Sequence, residues 1–197
     1  MRTQAMWVIA ALCASMAGAA NAATNVAPAG SASQSSNWCG VSQCGAGGAI
    51  DGTTGGNYNA GPMQHTNIDS GLPVGNGFAW WRVDLDQDYA VEEIVIWNRT
   101  DCCSERLRNF TVTLWDDGTQ VWSGVWAQSG GPAPSTSFLL GAVGDAVMVQ
   151  LNRQDYLHMA EVQVFGVAAV VPEPSTWALM GLGLAGLAAA ARRRAAR

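Results

Sequence analysis

Apolar side chains recur at every second position in short runs along most of this chain, and glycine-rich clusters separate the runs. Phe110, Val112 and Leu114 alternate with Thr111, Thr113 and Trp115, the period of a strand with one face buried. Segments of this kind, rich in Val, Ile, Trp and Phe, predict strands over Trp80–Leu85, Val91–Asn98, Phe110–Trp115, Gln120–Gly124, Ala146–Leu151 and Glu161–Phe165, with a further one near Thr136–Leu140. Turn punctuation comes from Gly45–Gly48, Gly52–Gly56, Gly75–Gly77 and Gly130-Gly131-Pro132. Nothing between these clusters has the period of a long amphipathic helix. Short strands at this spacing predict an all-β domain, a jelly-roll β-sandwich, whose ligand sites lie on loops at one end.

The two ends follow another pattern. Met1-Arg2 precedes an apolar run from Met6 to Met16 and the small residues Ala17 to Ala23, the order of a secretory signal peptide, with cleavage expected after Ala22. Cys13 follows Leu12, which does not fit a lipoprotein anchor. At the other end Val171-Pro172-Glu173-Pro174-Ser175 leads into an apolar segment over 176–191 and the cluster Arg192-Arg193-Arg194. This predicts a C-terminal transmembrane helix at the short end of what crosses a bilayer, with its arginines cytoplasmic. The tail resembles a PEP-CTERM sorting signal, which implies a sorting protease (exosortase) as partner and delivery to the cell surface or an extracellular matrix. The expected division is a signal peptide over 1–22, one domain over 23–166, and the sorting tail over 167–197.

Charge sharpens this picture. The chain has no lysine, and five of its ten arginines lie at Arg2 and in the tail. The domain keeps fourteen carboxylates against five arginines, a formal charge of −9 that argues against nucleic acid, since phosphate binding needs a basic face. Export leaves Cys39, Cys44, Cys102 and Cys103, an even number in an oxidising compartment. Pairing by neighbours gives Cys39–Cys44 and Cys102–Cys103, and each member of the second pair bridging to Cys39 or Cys44 is the alternative. A four-cysteine zinc site would need C-x-x-C knuckles that this spacing lacks.

Three of the domain's five arginines fall in one run, Asn98-Arg99-Thr100-Asp101-Cys102-Cys103-Ser104-Glu105-Arg106-Leu107-Arg108. Guanidinium groups present fixed donor forks and sugars present fixed pairs of hydroxyls, so two converging arginines can hold one sugar epimer, with Asp101 orienting a guanidinium. A surface ion-pair network after a strand is the plainer reading. Adjacent Cα atoms lie ~3.8 Å apart, so a Cys102–Cys103 bridge closes a tight ring of a kind tolerated at functional sites. It would place an apolar sulfur shelf beside the donors.

On these residues the chain resembles the F-type (fucolectin-like) lectins, a branch of the discoidin or galactose-binding-like jelly rolls. The resemblance runs from Ala49-Ile50-Asp51-Gly52 through Trp80-Trp81-Arg82-Val83-Asp84-Leu85 and Asn98 to Cys103, and on to Tyr156-Leu157-His158-Met159-Ala160-Glu161-Val162. It implies binding of fucose-containing or related glycans through His65, Arg99, Asp101 and Arg106, with Cys102 and Cys103 against the sugar's apolar face. The segment from His65 to Trp80 is longer than the family usually carries, which places the histidine on a remodelled loop. The resemblance also implies a structural Ca²⁺ held by Asp51 and Glu161, with backbone oxygens around Gly48, Thr53 and Pro62 completing its shell. Many members bridge the positions occupied here by Met63 and Ala160. His158, in an apolar run, reads as a buried, hydrogen-bonded structural histidine.

Nothing in the chain resembles a catalytic assembly: H-E-x-x-H, G-x-S-x-G and P-loop motifs are absent, and Asp116-Asp117 and Glu92-Glu93 are adjacent pairs, not carboxylates across a cleft. The reading is a non-catalytic, exported, carbohydrate-binding protein. A structural or adhesion protein without sugar affinity competes with it, as does a discoidin-like module that binds protein or lipid through exposed aromatic loops containing Trp122 and Trp126.

Overall fold

The computed structural model describes residues 22–69, 77–169 and 174–196. The signal peptide read over 1–22 thus lies, but for its last residue, outside the described residues, as do residues 170–173 of the tail. The described chain runs β1 (Thr24–Asn25), β2 (Ser31–Gln34), α1 (Val41–Cys44), β3 (Gln64–Ile68), β4 (Trp80–Trp97), β5 (Phe110–Asp116), β6 (Thr119–Trp126), β7 (Ser135–Leu151), β8 (Tyr156–Met159), β9 (Glu161–Ala168) and α2 (Pro174–Ala195).

Two pairs of expected strands are each one long strand. Trp80–Leu85 and Val91–Asn98 merge into β4, and Thr136–Leu140 and Ala146–Leu151 into β7. No glycine or proline interrupts the β4 sequence between its halves, so the backbone stays extended while the ladder breaks register between Asp84 and Tyr89 and again between Val91 and Glu93. The first half of β4 pairs with β2 and the end of β7, and the second half pairs with β9 and the start of β7, all antiparallel. Beyond β7 lie β5 and β6, and beyond β9 lies β1. The halves face each other as a sandwich. Trp81 and Val83 from the first half and Ile94 and Ile96 from the second join one core with Phe110, Val112, Leu114, Val147, Val149 and Val162.

The second irregularity decides which side chains enter that core. Odd-numbered Trp81, Val83 and Val91 are fully buried, and after the bulge even-numbered Ile94 and Ile96 are. A period-two strand without the bulge would turn both isoleucines to solvent. Trp122 and Trp126 lie on the inward side of β6 and are partly buried, Trp122 against Phe138 at 6.1 Å between ring centroids and Trp126 against Phe110 at 6.3 Å. They form no exposed aromatic loop, which removes the observation that favoured the protein- or lipid-binding module.

The transmembrane reading of the tail is corrected. Although α2 is helical over Pro174–Ala195, no helix among the described residues is long and apolar enough to cross a membrane. The reason is length and composition: the apolar stretch over 176–191 rises about 24 Å at ~1.5 Å per residue, less than a hydrocarbon core of ~30 Å. Its residues are largely Gly and Ala, and Arg192, Arg193 and Arg194 occupy the last turn.

Ile94 fills the core immediately after the bulge, so Ile94→Ala should lower stability by about 2–5 kcal/mol. Denaturant unfolding with disulfides intact reads this as a lower midpoint with unchanged slope; a loss below about 1 kcal/mol would mean that the bulge does not set the packing.

Candidate functional site

The arginine-rich run is the connection between β4 and β5, and it is held from beneath by one buried amide. Asn98 is 1% exposed; its Nδ2 donates to the carbonyls of Ser104 and Pro132, both at 2.9 Å, and its Oδ1 accepts from the backbone N–H of Arg99 at 2.8 Å. Its own N–H donates to the Pro134 carbonyl at 2.7 Å. Two glycines let neighbouring chain come close enough. A Cβ on Gly131 would meet the Ser104 carbonyl oxygen at 2.0 Å, and Gly56, at φ +66°, passes so near the Asn98 carbonyl that a Cβ would meet it at 2.6 Å. Thr100 then bonds the Gly55–Gly56 backbone through its N–H (2.8 Å) and its Oγ1 (2.9 Å). Cys103 takes a left-handed conformation, and the Arg106 N–H closes a tight turn on the Cys103 carbonyl at 3.0 Å. Arg153, paired with Asp155 at 2.5 Å, donates to the Arg106 carbonyl at 3.0 Å.

On this frame the charged groups are preset. The Arg99 guanidinium grips Asp101 with two parallel bonds, Nε to Oδ1 at 2.7 Å and Nη2 to Oδ2 at 2.9 Å. Both side chains are mostly covered, at 11% and 18% exposed. The bonds from Arg99 hold the Asp101 carboxyl down to about 2, with the Tyr58 N–H assisting. Arg99 also lies over the Tyr58 ring at 4.7 Å, and Arg106 over the Tyr156 ring at 4.8 Å.

His65 stands between them. It is 3% exposed and lies on β3, not on the remodelled loop expected from the longer segment after it; residues 70–76 of that segment lie outside the described residues. Antiparallel pairing with β8 puts His65 opposite His158. Its Nδ1 lies 2.8 Å from the Thr66 carbonyl, which can only accept, so Nδ1 carries the proton and Nε2 is left as an acceptor. Aromatic rings surround it: Trp38 at 5.8 Å, Tyr156 at 5.7 Å, Tyr58 at 6.3 Å and His158 at 5.2 Å. Burial lowers the His65 pKa, the bond to Thr66 opposes this, and the Arg99 and Arg106 charges lower it further.

The structure thus brings together His65, Arg99, Asp101 and Arg106, and adds three residues that sequence reasoning missed: Trp38, Tyr58 and Tyr156. A signal was available, since the chain has only three tyrosines and two of them are here. Both neighbour disulfides are formed, Cys39–Cys44 and Cys102–Cys103. The Tyr58 hydroxyl lies 3.4 Å from the Cys39 sulfur and 3.5 Å from that of Cys44, so the first bridge buttresses the ring beneath Arg99. Met63 and Ala160, the positions at which the resemblance implied a bridge in other members, line one small depression together.

Asp51 and Glu161 lie near enough for their charges to repel. Glu161 is fully buried; its Oε1 accepts from the Gly52 N–H at 3.1 Å, and its Oε2 has no hydrogen-bond partner. Burial pushes its carboxyl up to about 7, with the Gly52 bond opposing and Asp51 adding repulsion. Gly48, Asp51 and Pro62 line one depression, and Thr53 shares a second with Pro62. No three His, Cys, Asp or Glu side chains converge among the described residues, so a cation here would draw on two carboxylates and backbone oxygens. An orphaned buried carboxylate oxygen beside a second carboxylate fits a hard divalent cation.

With this geometry in view, the comparisons with known proteins are specific. The family model described as NedA-like, galactose-binding domain matches residues 48–149. The chain belongs to this galactose-binding-like family. Fucolectin-6 of Anguilla japonica is 32% identical over 147 residues, covering 71% of this chain and 74% of its own. A fucose binding module of Streptococcus pneumoniae superposes with a TM-score of 0.62 at 31% identity, over 73% of this chain and 95% of the module. The serum F-lectin (fucolectin) of striped bass, Morone saxatilis, gives 0.64 at 30% identity, over 77% of this chain and 51% of that one. The PEP-CTERM protein-sorting motif matches residues 170–194. Within this galactose-binding-like chain, His158 departs from expectation: it is fully buried, but neither ring nitrogen has a hydrogen-bond partner.

That departure fixes a pH dependence. Burial first, then the charges of His65, Arg99 and Arg106, lower the His158 pKa to about 3. The unfolded chain takes up a proton near pH 6.5 while the folded one resists until about pH 3. Stability is therefore full above pH 6.5 and falls on acidification through that window, by up to ~1.4 kcal/mol per pH unit for one such group. Urea unfolding between pH 7 and 4 should show a shallower decline for His158→Leu than for the unchanged chain; parallel curves would show that His158 is not held neutral.

Proposed function

We propose that this chain is an exported lectin that binds L-fucose or a closely related sugar at the loop-end site, with Ca²⁺ supporting that site from beneath. The observation that carries the reading is the preset pair of guanidinium groups around one imidazole acceptor. Asp101 occupies Arg99 Nε and Nη2 and thereby aims its remaining donors. Among the described residues the Arg106 guanidinium has no carboxylate partner; it rests on Tyr156 with its N–H groups free for sugar hydroxyls. His65 Nε2, neutral at ordinary pH, accepts from a third hydroxyl. Two donor forks and one acceptor match vicinal hydroxyls of defined stereochemistry, and the Cys102–Cys103 shelf suits a deoxysugar's apolar face.

Fucolectin and fucose-binding relatives support this substrate class, and the absence of catalytic motifs supports binding as the activity. Two disulfides agree with an oxidising compartment, and the PEP-CTERM motif agrees with removal of the tail by an exosortase-type protease after export and display at the surface or in the matrix. The proposed division keeps the leader at 1–22, the lectin domain at 23–166 and the sorting tail at 167–197. In the supporting site Asp51 and Glu161 hold Ca²⁺, with backbone oxygens near Gly48, Thr53 and Pro62. Held there, the ion would neutralise the buried Glu161 carboxylate, whose Oε1 bonds the Gly52 N–H of the turn from which the chain continues to Tyr58.

Calorimetric titration of L-fucose into the protein tests the site. Saturable binding is expected, and Arg106→Ala, which removes charge-assisted bonds of about 1.5–3 kcal/mol each, should weaken it more than a hundredfold. Absence of binding to fucose and to a broad glycan panel would favour a structural or adhesion role. A chelator should lower the melting temperature of the unchanged chain and leave that of Glu161→Gln unmoved; equal responses would remove the cation from this account.

A further inference from the structure

The sandwich carries a second surface with the chemistry of a sugar site, on the outer face of the layer formed by β5, β6 and the end of β7. Register places Gln150 beside Thr111, Met148 beside Thr113 and Ala146 beside Trp115, and then Trp115 beside Gln120 on β6. Their alternate neighbours Val112, Leu114, Val147 and Val149 are fully buried, so this face points away from the core. Thr111, Thr113 and Met148 make a low floor. Trp115 and Gln120 close one end, and Gln150 and Asn152 close the other, leaving a groove of about 290 Å³.

The groove is built, and its lining is uncharged. Trp115 Nε1 donates to Thr113 Oγ1 at 2.8 Å, which satisfies the indole's polar atom and pins the ring. Arg82, paired with Asp84 at 2.7 Å, lies 5.9 Å from the centre of that ring and steadies it further. The Thr111 hydroxyl and the Asn152 amide bond each other at 3.0 and 3.1 Å. None of the lining side chains ionises, although the chain carries a net charge of −5. A neutral lining offers no counter-charge to phosphates, carboxylates or ammonium groups. An indole beside carboxamides and hydroxyls suits a ring with an apolar face and a hydroxylated edge. From Thr111 to Trp115 the strand spans about 14 Å, and three strands span about 10 Å, which is room for a chain of sugars.

We propose that this groove binds a neutral polysaccharide lying along β5, as a site separate from the loop-end site and independent of its function. The test is affinity electrophoresis of the full chain through native gels containing hydroxyethylcellulose, xyloglucan or galactomannan. Retardation in at least one is expected, unchanged by excess L-fucose and by Arg106→Ala. Trp115→Ala, checked for an intact fold by circular dichroism, should weaken it at least tenfold; if that variant does not fold, Gln120→Ala at the exposed end of the groove takes its place with the same expectation. No retardation in any of the three gels, a loss below tenfold in the folded variant, or release by L-fucose would each overturn the proposal.

Discussion

The side chain of Asn98 is the constraint on which the loop-end site depends. An amide that is 1% exposed must have its bonds made, and here they tie the end of β4, the start of the arginine loop and the chain around Pro132 into one knot. Arg99 begins one residue beyond, Arg106 lies two residues past the Ser104 carbonyl that the amide holds, and the glycines at 56 and 131 exist to let neighbouring backbone approach. Strand β3, which carries His65, reaches the same place by pairing with β8. Three segments far apart in sequence thus converge because each has somewhere buried to anchor.

The same logic separates the two proposed sites. At the loop end, charge is arranged before any ligand arrives: Asp101 fixes Arg99, aromatic rings carry both guanidiniums, and burial with two nearby cations keeps His65 neutral. Preset charge-assisted donors favour one arrangement of hydroxyls. On the sheet face the groove's own lining is uncharged, with the Arg82–Asp84 pair only beside Trp115, and the recognition elements are an indole, amides and hydroxyls in strand register, which suits a repeating chain over a single stereochemistry. A sandwich offers both geometries, loops at its end and a pleated face on its side.

Much of this was legible in the sequence, for reasons that can be named. The alternation in Phe110–Trp115 exposes a strand because one face is core, and arginine clustering stands out in a domain with only five. Strands β1, β2, β3 and β8 were not expected, because Ser31–Gln34 has no apolar alternation and the others are short and stabilised by distant partners. The merging within β4 was hidden by Asp86–Asp88, which reads as a loop but stays in the strand across the break in the ladder. Trp38, Tyr58 and Tyr156 come from three separate segments, and only the fold makes them one aromatic shell. The tail was read as a membrane span from its apolar segment and the arginines that follow, whereas its Gly and Ala content and its length fall short. The alternating Thr111, Thr113 and Trp115 registered only as the solvent side of a strand, since a groove exists only once β7 and β6 lie beside them.

The central claim is that Arg99 and Arg106 are preset donors that one sugar engages together. Heteronuclear NMR of the arginine Nε–H resonances during titration with L-fucose tests it most directly. The account predicts that Arg99, already low-field through its bond to Asp101, is resolved in the free protein and that it and Arg106 shift along one saturation curve while Arg82 and Arg153 stay fixed. Saturable binding that moves neither Arg99 nor Arg106 would contradict the account and place the sugar elsewhere on the sandwich.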